Sequence, residues 1–568
     1  MALIDKASLL MVTSTYEAGK LYNVLPSGNR APDNKGGAGY DQTRADFDFD
    51  RGTDHAATRV NADGLIEKYR ENKLLQSNQF DTTWTNASSS ETSGQSGYDG
   101  TNNAWLLTTT GTGGYIIQNV VNTGVQTFSV YAKANTYNFI RIQLNGSGAD
   151  KRIDVDLRDG TTGTAGSGNI TAKATSIGDG WYRVEIVSNT TSSAARIYAI
   201  VGDNDLTGTS GSIYIQSAQL ESGLVSTDYL DSTDVTAKAG VLVDLPRINY
   251  DANGENGALL LEPSRLQMLR YSEYANEWDV DSNVTTTINA ATSPEGVLNA
   301  VKLEGLTTSA NNQIFRFIGS NTGVSVVGET FSCSLYIKPV NPNDVGKNIE
   351  LSIQRTAGDY EGLNQTFEID SADWKRYDLS YTFTGAGSGN QTGVTFKVLR
   401  NSTTIDDIYC YGAQCEEASY PSSYIPNHGE SGGVTRAADT ITSGTITAPL
   451  SGGYTAFIEL ETLSTSVYNQ IQFRETAANY VLRIGNQINV GAGSTIQTNT
   501  TGMNKFALQV SSGGAYELFK NGSSVATGTG ITHDIELIKT DLAGQDVKQI
   551  AVFNEALTDA ECVTLTTL

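Results

Sequence analysis

Two stretches of this sequence, IYIQSAQLE at 213–221 and IYCYGAQCE at 408–416, repeat one another. They lie 195 residues apart, and Tyr229 and Tyr424 are separated by the same interval. Each stretch carries apolar and polar side chains in the alternating order of a β-strand with one buried face. A strand that returns at so long a period predicts a duplicated domain rather than a solenoid of short repeats.

Further matched residues extend the duplication in both directions at nearly the same interval. The pairs are Trp84 and Trp278, Gly100 and Gly296, Asn103 and Asn299, Ala104 and Ala300, Tyr131 and Tyr336, Lys133 and Lys338, and Trp181 and Trp374. The repeated copies therefore run over 74–230 and 268–426, the second within a domain at 268–440. Because a duplicated unit keeps what its packing requires, we expect these four tryptophans in the cores. Trp105, opposite the apolar Val301, is expected there as well.

Short alternating runs fill both copies, and helical patterns are almost absent. FSVYAK at 128–133 and WYRVEIV at 181–187 are examples, and clusters of Gly, Asn, Asp and Ser bound such runs. Strands of about five to seven residues in a unit of roughly 155 residues predict two antiparallel sheets packed face to face, a β-sandwich or jelly roll.

The pattern changes at residue 441. Runs such as YTAFIELE at 454–461 and KFALQV at 505–510 predict a third sandwich over 441–568, which we expect to be self-sufficient. Asn521-Gly522 has the composition of a two-residue hairpin turn. Thr558 and Glu561 form a capping-box pattern that predicts a short helix over 560–568.

The remaining segments are an N-terminal stretch, 1–73, and a connector, 231–267. Both are too small and polar for a core of their own, so 1–73 is interpreted as an anchor segment that orders against a partner. In the connector, Arg265 follows Glu262 closely, which predicts an ion pair that locks this segment. The predicted fold class is all-β: a string of antiparallel β-sandwich (jelly-roll) domains, two duplicated and a third of different pattern.

Composition excludes several classes of function. The chain of 568 residues has 38 Lys and Arg against 62 Asp and Glu, a net charge of -24. That sign disfavours nucleic acid and anionic membranes as partners. No run approaches the roughly 18 apolar residues of a membrane-spanning helix, and the apolar run at 7–12 is too short for a signal peptide.

Cysteine and histidine are scarce. Three histidines (His55, His428 and His533) are spread along the chain, which disfavours a histidine metal site or a Ser-His-Asp triad. Four cysteines lack the spacing of a zinc ribbon or a disulfide framework, so we interpret them as reduced. Cys410 and Cys415 stand opposite Ile215 and Leu220 in the repeat, and are expected to behave as small buried apolar side chains.

Four stretches together resemble virion proteins of tailed bacteriophages, of the head spike, head fibre and tail fibre type. They are FDFDRGTDHAATRVNADGLIE (47–67), LLLEPSR (259–265), GSIYIQSAQLESG (211–223) and IYCYGAQCEEASYPSSYIP (408–426). The duplicated domains look like carbohydrate-binding-module jelly rolls, and VKQIAVFNEALTDAE (547–561) looks like the closing strand and helix of a laminin-G or concanavalin-like sandwich. The resemblance implies a virion protein of the capsid or tail, assembled in the host cytoplasm with other virion proteins as a homotrimer.

A glycan on the host surface is the partner that this resemblance implies. Sugar sites usually present an exposed aromatic ring, and the tryptophans are expected in the cores. The loop candidates for stacking are therefore tyrosines, namely Tyr98, Tyr115 and Tyr360.

Calcium is a second candidate ligand. Asp46, Asp48 and Asp50 alternate on one side of a strand and could hold Ca²⁺; the alternative is an acidic surface paired with Arg44, Arg51 or Arg59. Asp203-Asn204-Asp205 and the Asp251 to Glu255 run are interpreted as turns first and calcium loops second. We assign no catalytic, cofactor-binding or metal-binding residue and expect no other cofactor.

The favoured hypothesis is a non-enzymatic virion appendage that adheres to the host surface. One alternative is a glycan depolymerase that uses two carboxylates in a cleft of the third sandwich. Phage depolymerases usually have a parallel β-helix with rungs of about 20 to 25 residues, and the period here is far longer. The other alternative is a decoration protein that cements the capsid.

Overall fold

The computed structural model describes most of the chain. The described residues are 7, 9–13, 47–53, 55–243, 245–280, 282–306, 313–318, 326–355, 360–385, 393–399, 405–443, 446, 448–463, 470–476, 479–491, 494–541 and 544–568. Across them the fold is all-β, with antiparallel ladders and one short α-helix near the C-terminus, as the sequence predicted.

Strands before the second copy fall into three groups. The N-terminal strands are β1 (Leu9–Val12), β2 (Phe47–Asp50), β3 (Thr58–Val60), β4 (Ile66–Lys68) and β5 (Arg70–Asn72). The first copy contains β6 (Thr85–Ala87), β7 (Ser89–Gln95), β8 (Ala104–Thr109), β9 (Tyr115–Asn122), β10 (Val125–Ala134), β11 (Phe139–Asn145), β12 (Arg152–Asp156), β13 (Thr162–Ala165), β14 (Asn169–Gly178), β15 (Trp181–Asn189), β16 (Ser192–Ile200) and β17 (Gly211–Ser222). The connector contains β18 (Ala237–Ala239), β19 (Ile248–Asn249), β20 (Ala258–Leu261) and β21 (Arg265–Gln267).

The rest of the chain supplies two further groups. The second copy contains β22 (Asp279–Val280), β23 (Thr285–Ala291), β24 (Ala300–Glu304), β25 (Gln313–Ile318), β26 (Thr330–Pro339), β27 (Asn348–Arg355), β28 (Gly362–Glu368), β29 (Lys375–Thr382), β30 (Val394–Leu399) and β31 (Ile408–Glu416). After it come β32 (Val434–Arg436), β33 (Thr440–Ser443), β34 (Tyr454–Thr462), β35 (Gln470–Arg474), β36 (Tyr480–Ile484), β37 (Gln487–Val490), β38 (Ser494–Thr498), β39 (Gly502–Val510), β40 (Tyr516–Lys520), β41 (Ser523–Gly528), β42 (Leu537–Asp541), β43 (Gln545–Phe553) and helix α1 (Asp559–Thr566).

The two copies share one sandwich topology. The first has six-stranded sheets in the orders β14-β15-β10-β17-β8-β7 and β13-β12-β11-β16-β9-β6. The second has β29-β26-β31-β24-β23 and β28-β27-β30-β25-β22, which match the first strand for strand except for β13 and β14. Those two strands lie between β12 and β15, so the interval between matched residues changes from Tyr131 and Tyr336 to Trp181 and Trp374.

The repeated strand itself carries a β-bulge in both copies. The ladders of β10 with β17 and of β26 with β31 shift register at the same place. Ser217 and Gly412 lie in the two bulges with φ of 55° and 64°, a left-handed conformation that glycine adopts without steric cost. The bulge therefore belongs to the duplicated design.

Three of the four paired tryptophans are buried as expected. Trp84 and Trp278 are each buried, and each indole donates to a backbone carbonyl, of Gln76 and Tyr271 respectively. Both acceptor residues have a positive φ, which turns the two carbonyls the same way. Trp181 is buried, and the unpaired Trp105 is buried too.

Trp374 differs from the expectation because it is only half-buried. In the first copy, β14 pairs with β15 as far as Trp181, and the ring of Tyr98 meets that indole edge-on at 6.1 Å. The second copy has no strand equivalent to β14 among its described residues, so Trp374 loses that cover and its indole donates to Thr292 O at 3.0 Å.

The third sandwich contains strands from outside 441–568, which the expectation of a self-sufficient domain did not include. Its two sheets have the orders β19-β20-β43-β34-β39-β40-β41 and β2-β33-β42-β35-β36-β37-β38, and β1 also pairs with β43. The N-terminal segment and the connector thus supply β1, β2, β19 and β20. Leu9, Met11, Phe49 and Leu259 enter its apolar core. The boundaries at 73, 230, 267 and 440 stay a prediction, but β1, β2, β19 and β20 pack into a core whose other residues lie beyond 440.

Local patterns near the C-terminus are confirmed. Asn521 and Gly522 form the two-residue turn between β40 and β41, both with positive φ. The Thr558 hydroxyl accepts from the Glu561 amide, and the Glu561 carboxylate accepts in return from the Thr558 amide. Helix α1 then buries Cys562 against the outer face of the larger sheet.

A buried cluster of charges joins the segments. Arg247 pairs with Glu262 at 2.9 Å and with Asp439, while Arg436 also pairs with Glu262 at 2.9 Å and Arg51 pairs with Asp439 at 3.4 Å. Burial alone would raise the pKa of Glu262, but Arg436 and Arg247 outweigh it and lower that pKa to about 2. Glu262 thus locks the connector through these two arginines.

The predicted ion pair of Arg265 is therefore wrong. Its guanidinium lies over the ring of Tyr420 instead, 5.4 Å from the centroid. All four cysteines are buried and free, and Cys410 and Cys415 occupy apolar core positions as expected. Among the described residues, no helix has the length and apolar character needed to cross a membrane.

A polar cavity between the two copies

A cavity of about 580 Å³ lies where the two copies meet the N-terminal segment and residues 426–437. Its walls come from residues between 53 and 73, the end of the first copy at 221–227, the start of the second copy at 273–299, and residues between 426 and 437. The cavity thus depends on segments far apart in sequence. Volumes of about 300–1,000 Å³ are typical of small-molecule sites.

One lysine bridges two carboxylates in the wall. Lys68, at the end of β4, lies 3.0 Å from Glu273 and 2.8 Å from Glu295 of the second copy. The side chains of Lys68 and Glu295 are each 10% exposed, and that of Glu273 is 2% exposed. Burial alone would lower the pKa of Lys68, but the two carboxylates outweigh it and raise it.

Two tyrosines complete the hydrogen bonds of this group. Tyr424 donates to Glu273 at 2.8 Å, and Tyr411 donates to Glu273 at 3.2 Å and to Glu295 at 2.9 Å. Burial and the nearby carboxylates raise the pKa of both phenols well above its usual value, so the phenols stay neutral donors. Burial opposes ionisation of Glu273, yet the charge of Lys68 and the hydrogen bonds from Lys68 and Tyr424 hold its pKa below its usual value.

Three polar atoms of wall residues are buried without a hydrogen bond in the described part of the chain. They are Glu273 Oε2, Asn299 Oδ1 and Thr53 Oγ1. All contacts to Glu273 fall on Oε1, and Asn299 uses its amide nitrogen to donate to Glu295 at 3.0 Å. An unsatisfied buried polar atom costs roughly 1–3 kcal/mol. The wall is therefore equipped for hydrogen bonds that the chain itself does not make.

Two of the three histidines also line the cavity. His55 is exposed, whereas His428 is half-buried between the two copies, where its carbonyl accepts from the Val125 amide at 2.7 Å. Burial lowers the pKa of His428, although Glu273 favours its charged form. His428 is thus a neutral ring with donor and acceptor nitrogens at neutral pH.

The first copy holds the same scaffold in a closed form. There Gln216 donates to Asp99 at 3.1 Å and to Asn103 Oδ1 at 2.6 Å, so each of these polar groups has a partner. The matching residues of the second copy, in the same order, are Tyr411, Glu295 and Asn299. The duplication therefore kept the positions, but Asn299 Oδ1 has no hydrogen-bond partner among the described residues.

The covering residue also differs between the copies. In the first copy, Tyr98 stacks on Tyr131 with ring centroids 4.0 Å apart. The second copy has Pro294 in place of Tyr98, and Ile66 of the N-terminal hairpin packs there beside Tyr336. The Ile66 amide donates to Pro294 O at 2.9 Å. This substitution brings β4, and with it Lys68, to the second copy.

The three tyrosines predicted for sugar stacking lie apart from one another and outside the cavity wall. Tyr98 is half-buried in its stack, and the guanidinium of Arg196 lies over the ring of Tyr115, 4.8 Å from the centroid. Tyr360 is 64% exposed and donates to Asn364 at 3.2 Å. Because its ring is exposed, Tyr360 remains a predicted sugar contact outside the cavity.

The predicted calcium candidates have turn chemistry. Asp205 accepts from the Thr207 amide at 2.9 Å, and Asp251 accepts from the amides of Asn253 and Glu255 at 2.9 Å each. Asp203 lies in a turn and accepts from the Thr164 amide of β13 at 2.6 Å. The turn interpretation is thus confirmed for both runs.

The acidic strand is described only in part. Asp46 and the side chain of Asp48 lie outside the described residues, while Asp50 is exposed and accepts from the Gly52 amide. Of the arginines expected to pair with it, Arg44 is also outside them, Arg51 pairs with Asp439, and Arg59 pairs with Glu67. Within the described ranges, no group of three or more His, Cys, Asp and Glu side chains is placed to hold a metal ion.

Sequence reasoning missed Lys68, Glu273 and Glu295. The repeat carried a signal for Glu295, because its neighbours Gly296 and Asn299 match Gly100 and Asn103, which makes Glu295 the counterpart of Asp99. For Lys68 there was no such signal, since its partners are more than 200 residues away.

Comparisons with known proteins show only distant likeness. No protein-family model matches the sequence, and no curated protein matches it. Among solved structures, the tandem CBM22-1-CBM22-2 domain of Paenibacillus barcinonensis Xyn10C is 12% identical with a TM-score of 0.22, over 65% of this chain and 100% of that one. The enzymatically active domain of tailspike protein 4 of bacteriophage CBA120 is 12% identical with a TM-score of 0.20, over 26% and 21%. Galectin LEC-6 of Caenorhabditis elegans is 19% identical with a TM-score of 0.15, over 19% and 88%.

Proposed function

We propose that this protein is a non-enzymatic appendage of a tailed-bacteriophage virion, on the capsid or the tail, that binds saccharides of the host surface. The cavity between the two copies is the observation that carries the binding function. It has the volume of a small-molecule site, and its wall holds Glu273, Asn299 and Thr53 with unpaired buried polar atoms. Saccharide hydroxyls both donate and accept, so they suit a wall with unpaired polar atoms of both kinds.

The virion assignment is supported by the resemblance of 47–67, 211–223, 259–265 and 408–426 to phage head and tail fibre proteins. In this proposal the chain assembles with other virion proteins as a homotrimer in the host cytoplasm. Many copies on one particle then multiply weak saccharide contacts into strong adhesion, because avidity exceeds the affinity of each site.

The electrostatics of the cavity support binding rather than hydrolysis. A glycosidase acid keeps its proton near neutral pH because its pKa is raised. Glu273 has a lowered pKa, and Lys68 ties it to Glu295. Under this proposal neither carboxylate protonates a leaving group. The depolymerase and capsid-cement functions are the alternatives that the experiment must separate.

Binding of the purified full-length chain to cells of the phage's host tests the proposal. We expect saturable binding that is lost when the cells are treated with periodate, which cleaves vicinal diols, and kept when they are treated with protease. Incubation with purified host polysaccharide is expected to release no new reducing ends. Absence of cell binding, or loss after protease treatment alone, would overturn saccharide recognition, and new reducing ends would establish the depolymerase.

A further inference from the structure

We propose that the cavity is a subsite for one neutral or amine-bearing sugar unit, held through its hydroxyl donors, and that it rejects acidic sugars. This inference rests on the proposed function and names the class of saccharide. Three observations support it: unpaired acceptors in the wall, an excess of carboxylates, and the contrast with the first copy.

The cavity wall contains hydrogen-bond acceptors without a donor in the described part of the chain. Glu273 and Asn299 are 3% and 2% exposed, and each has one buried oxygen without a hydrogen bond in the described part of the chain. A carboxylate oxygen and an amide oxygen accept and do not donate. A ligand that fits them therefore presents hydroxyl or ammonium hydrogens, which a neutral sugar or an amino sugar supplies.

The formal charge of the cavity wall determines which charge a ligand can carry there. The described wall residues include five glutamates, against Lys68, Arg70 and Lys73. Lys68 forms ion pairs with Glu273 and Glu295, and Lys73 donates a hydrogen bond to Asn122 at 2.9 Å. By formal charge, the five glutamates of the wall outnumber its three lysine and arginine side chains by two. A carboxylate on the ligand meets repulsion here that is stronger than in water, because the surroundings are partly buried.

Arg70 supplies the site with a donor side chain. Its side chain is half-buried and makes no hydrogen bond or ion pair with the described residues. We assign it to a ring or hydroxyl oxygen of the sugar, while the acceptors lie on the side of Glu273 and Asn299. A hydroxyl that accepts from Arg70 still has its own hydrogen to donate.

The first copy shows what the scaffold looks like when it is closed. Asn78, the counterpart of Glu273, accepts from the Ser217 amide at 2.9 Å and donates to Asn103 O at 3.2 Å. Asn103 Oδ1 accepts from Gln216, whereas Asn299 Oδ1 at the matching position has no partner in the described chain. The two copies differ at these acceptor atoms, so this part of the cavity wall has no counterpart in the first copy.

Titration of the full-length chain with methyl glycosides tests the inference. The panel takes the gluco, galacto and manno configurations, each as the neutral hexose, the 2-amino-2-deoxy sugar and the 6-carboxylate, and calorimetry or ligand-observed NMR gives the affinity. In at least one configuration, we expect the neutral or amino form to bind and the matched uronate to bind at least tenfold more weakly at pH 7.

Asn299→Leu removes the unpaired acceptor, and the matched control Asn103→Leu changes its counterpart in the first copy. We expect Asn299→Leu to weaken binding at least tenfold and Asn103→Leu to change it less than twofold, with circular dichroism showing that both variants fold. If Asn299→Leu does not fold, the inference is tested by the unmodified chain alone, through its affinities for the neutral or amino glycosides and for the matched uronates.

Three outcomes overturn the inference: no glycoside of the panel binds, uronates bind as tightly as neutral sugars, or the Asn103 variant loses as much affinity as the Asn299 variant. If the chain still binds periodate-sensitive sites on host cells, the proposed function stands, and only the assignment of the binding site to this cavity is wrong. A chain that binds no cells loses the proposed function itself.

Discussion

Tyr411 of the second copy stands where the first copy has Gln216, and each donates to an acid of the same loop. The phenol reaches Glu295 at 2.9 Å, and the amide reaches Asp99 at 3.1 Å. The longer phenol also reaches Glu273 at 3.2 Å. Tyr411 therefore gathers two carboxylates at one point, and this pair needs the cation that Lys68 supplies.

Lys68→Met is expected to destabilise the junction strongly. The substitution leaves Glu273 and Glu295 buried without their cation, and breaking a buried ion pair typically costs about 3–5 kcal/mol. Urea unfolding followed by aromatic fluorescence measures the loss.

Lys302→Met is the matched control for this variant. Lys302 pairs with Glu304 at 2.6 Å, but the two side chains are 22% and 39% exposed. Exposed pairs contribute about 0–1 kcal/mol. Equal losses in the two variants would contradict the role assigned to Lys68.

The repeat explains how much of this architecture could be predicted from sequence. Alternation predicted the strands, and the matched Trp84 and Trp278 predicted the duplicated core, because both signals are local or repeated. The partners of Lys68 could not be predicted, since they depend on how β4 docks on another domain. The same holds for β1 and β2, whose apolar residues have no periodic partner nearby in sequence and pack more than 390 residues away.

Met11→Ala and Leu259→Ala are each expected to destabilise the third sandwich. Both side chains are fully buried in its core although they come from the N-terminal segment and the connector. Truncation of such a side chain costs about 2–5 kcal/mol. Limited proteolysis within 441–568, followed by mass spectrometry, reports the loosening.

Leu266→Ala is the control for both variants. Because Leu266 is exposed, this substitution should alter stability by no more than about 0.5 kcal/mol. Unchanged proteolysis in both core variants would show that residues 441–568 fold without these strands.

Asp546→Asn should stabilise the chain at pH 8 and have little effect near pH 4. Asp546 of β43 is half-buried, and its Oδ1 has no hydrogen bond within the described ranges. Burial, followed by Glu262 and Glu461, raises its pKa to about 7. Because the unfolded value is near 4, the folded state binds this proton more tightly. The contribution of this group to the free energy of unfolding therefore falls as pH rises from about 4 to 7.

Urea midpoints at pH 4 and pH 8 measure this contribution. We expect the variant to gain roughly 1–3 kcal/mol at pH 8, the cost of an unsatisfied buried group. Asp63→Asn, at an exposed aspartate, is the control and should leave the pH dependence unchanged. A variant no more stable than the unmodified chain at pH 8 would show that Asp546 is solvated.

Thr558→Ala should lower the stability of helix α1 by about 1 kcal/mol, because it removes the side-chain half of the capping box. Hydrogen exchange of amides in 559–566 measures the effect locally. Thr564→Ala, in the same helix, is the control: its exposed hydroxyl donates only to Ala560 O. Equal protection loss in the two variants would mean that the cap contributes nothing beyond the loss of a threonine.

Association of the chain into a homotrimer is expected to tighten as salt rises. Each chain carries a net charge of -24, so association brings like charges together. Salt screens this repulsion over about 8 Å at physiological ionic strength. The strands β38 and β41 form outer edges of the third sandwich in the described chain, and such edges gain hydrogen bonds when copies pair in a symmetric oligomer. Light scattering of the purified chain at 0.02 M and 0.5 M NaCl measures the mass. We expect a larger trimer fraction at high salt, and a monomer under both conditions, with no ordered oligomer on the virion, would exclude the trimer.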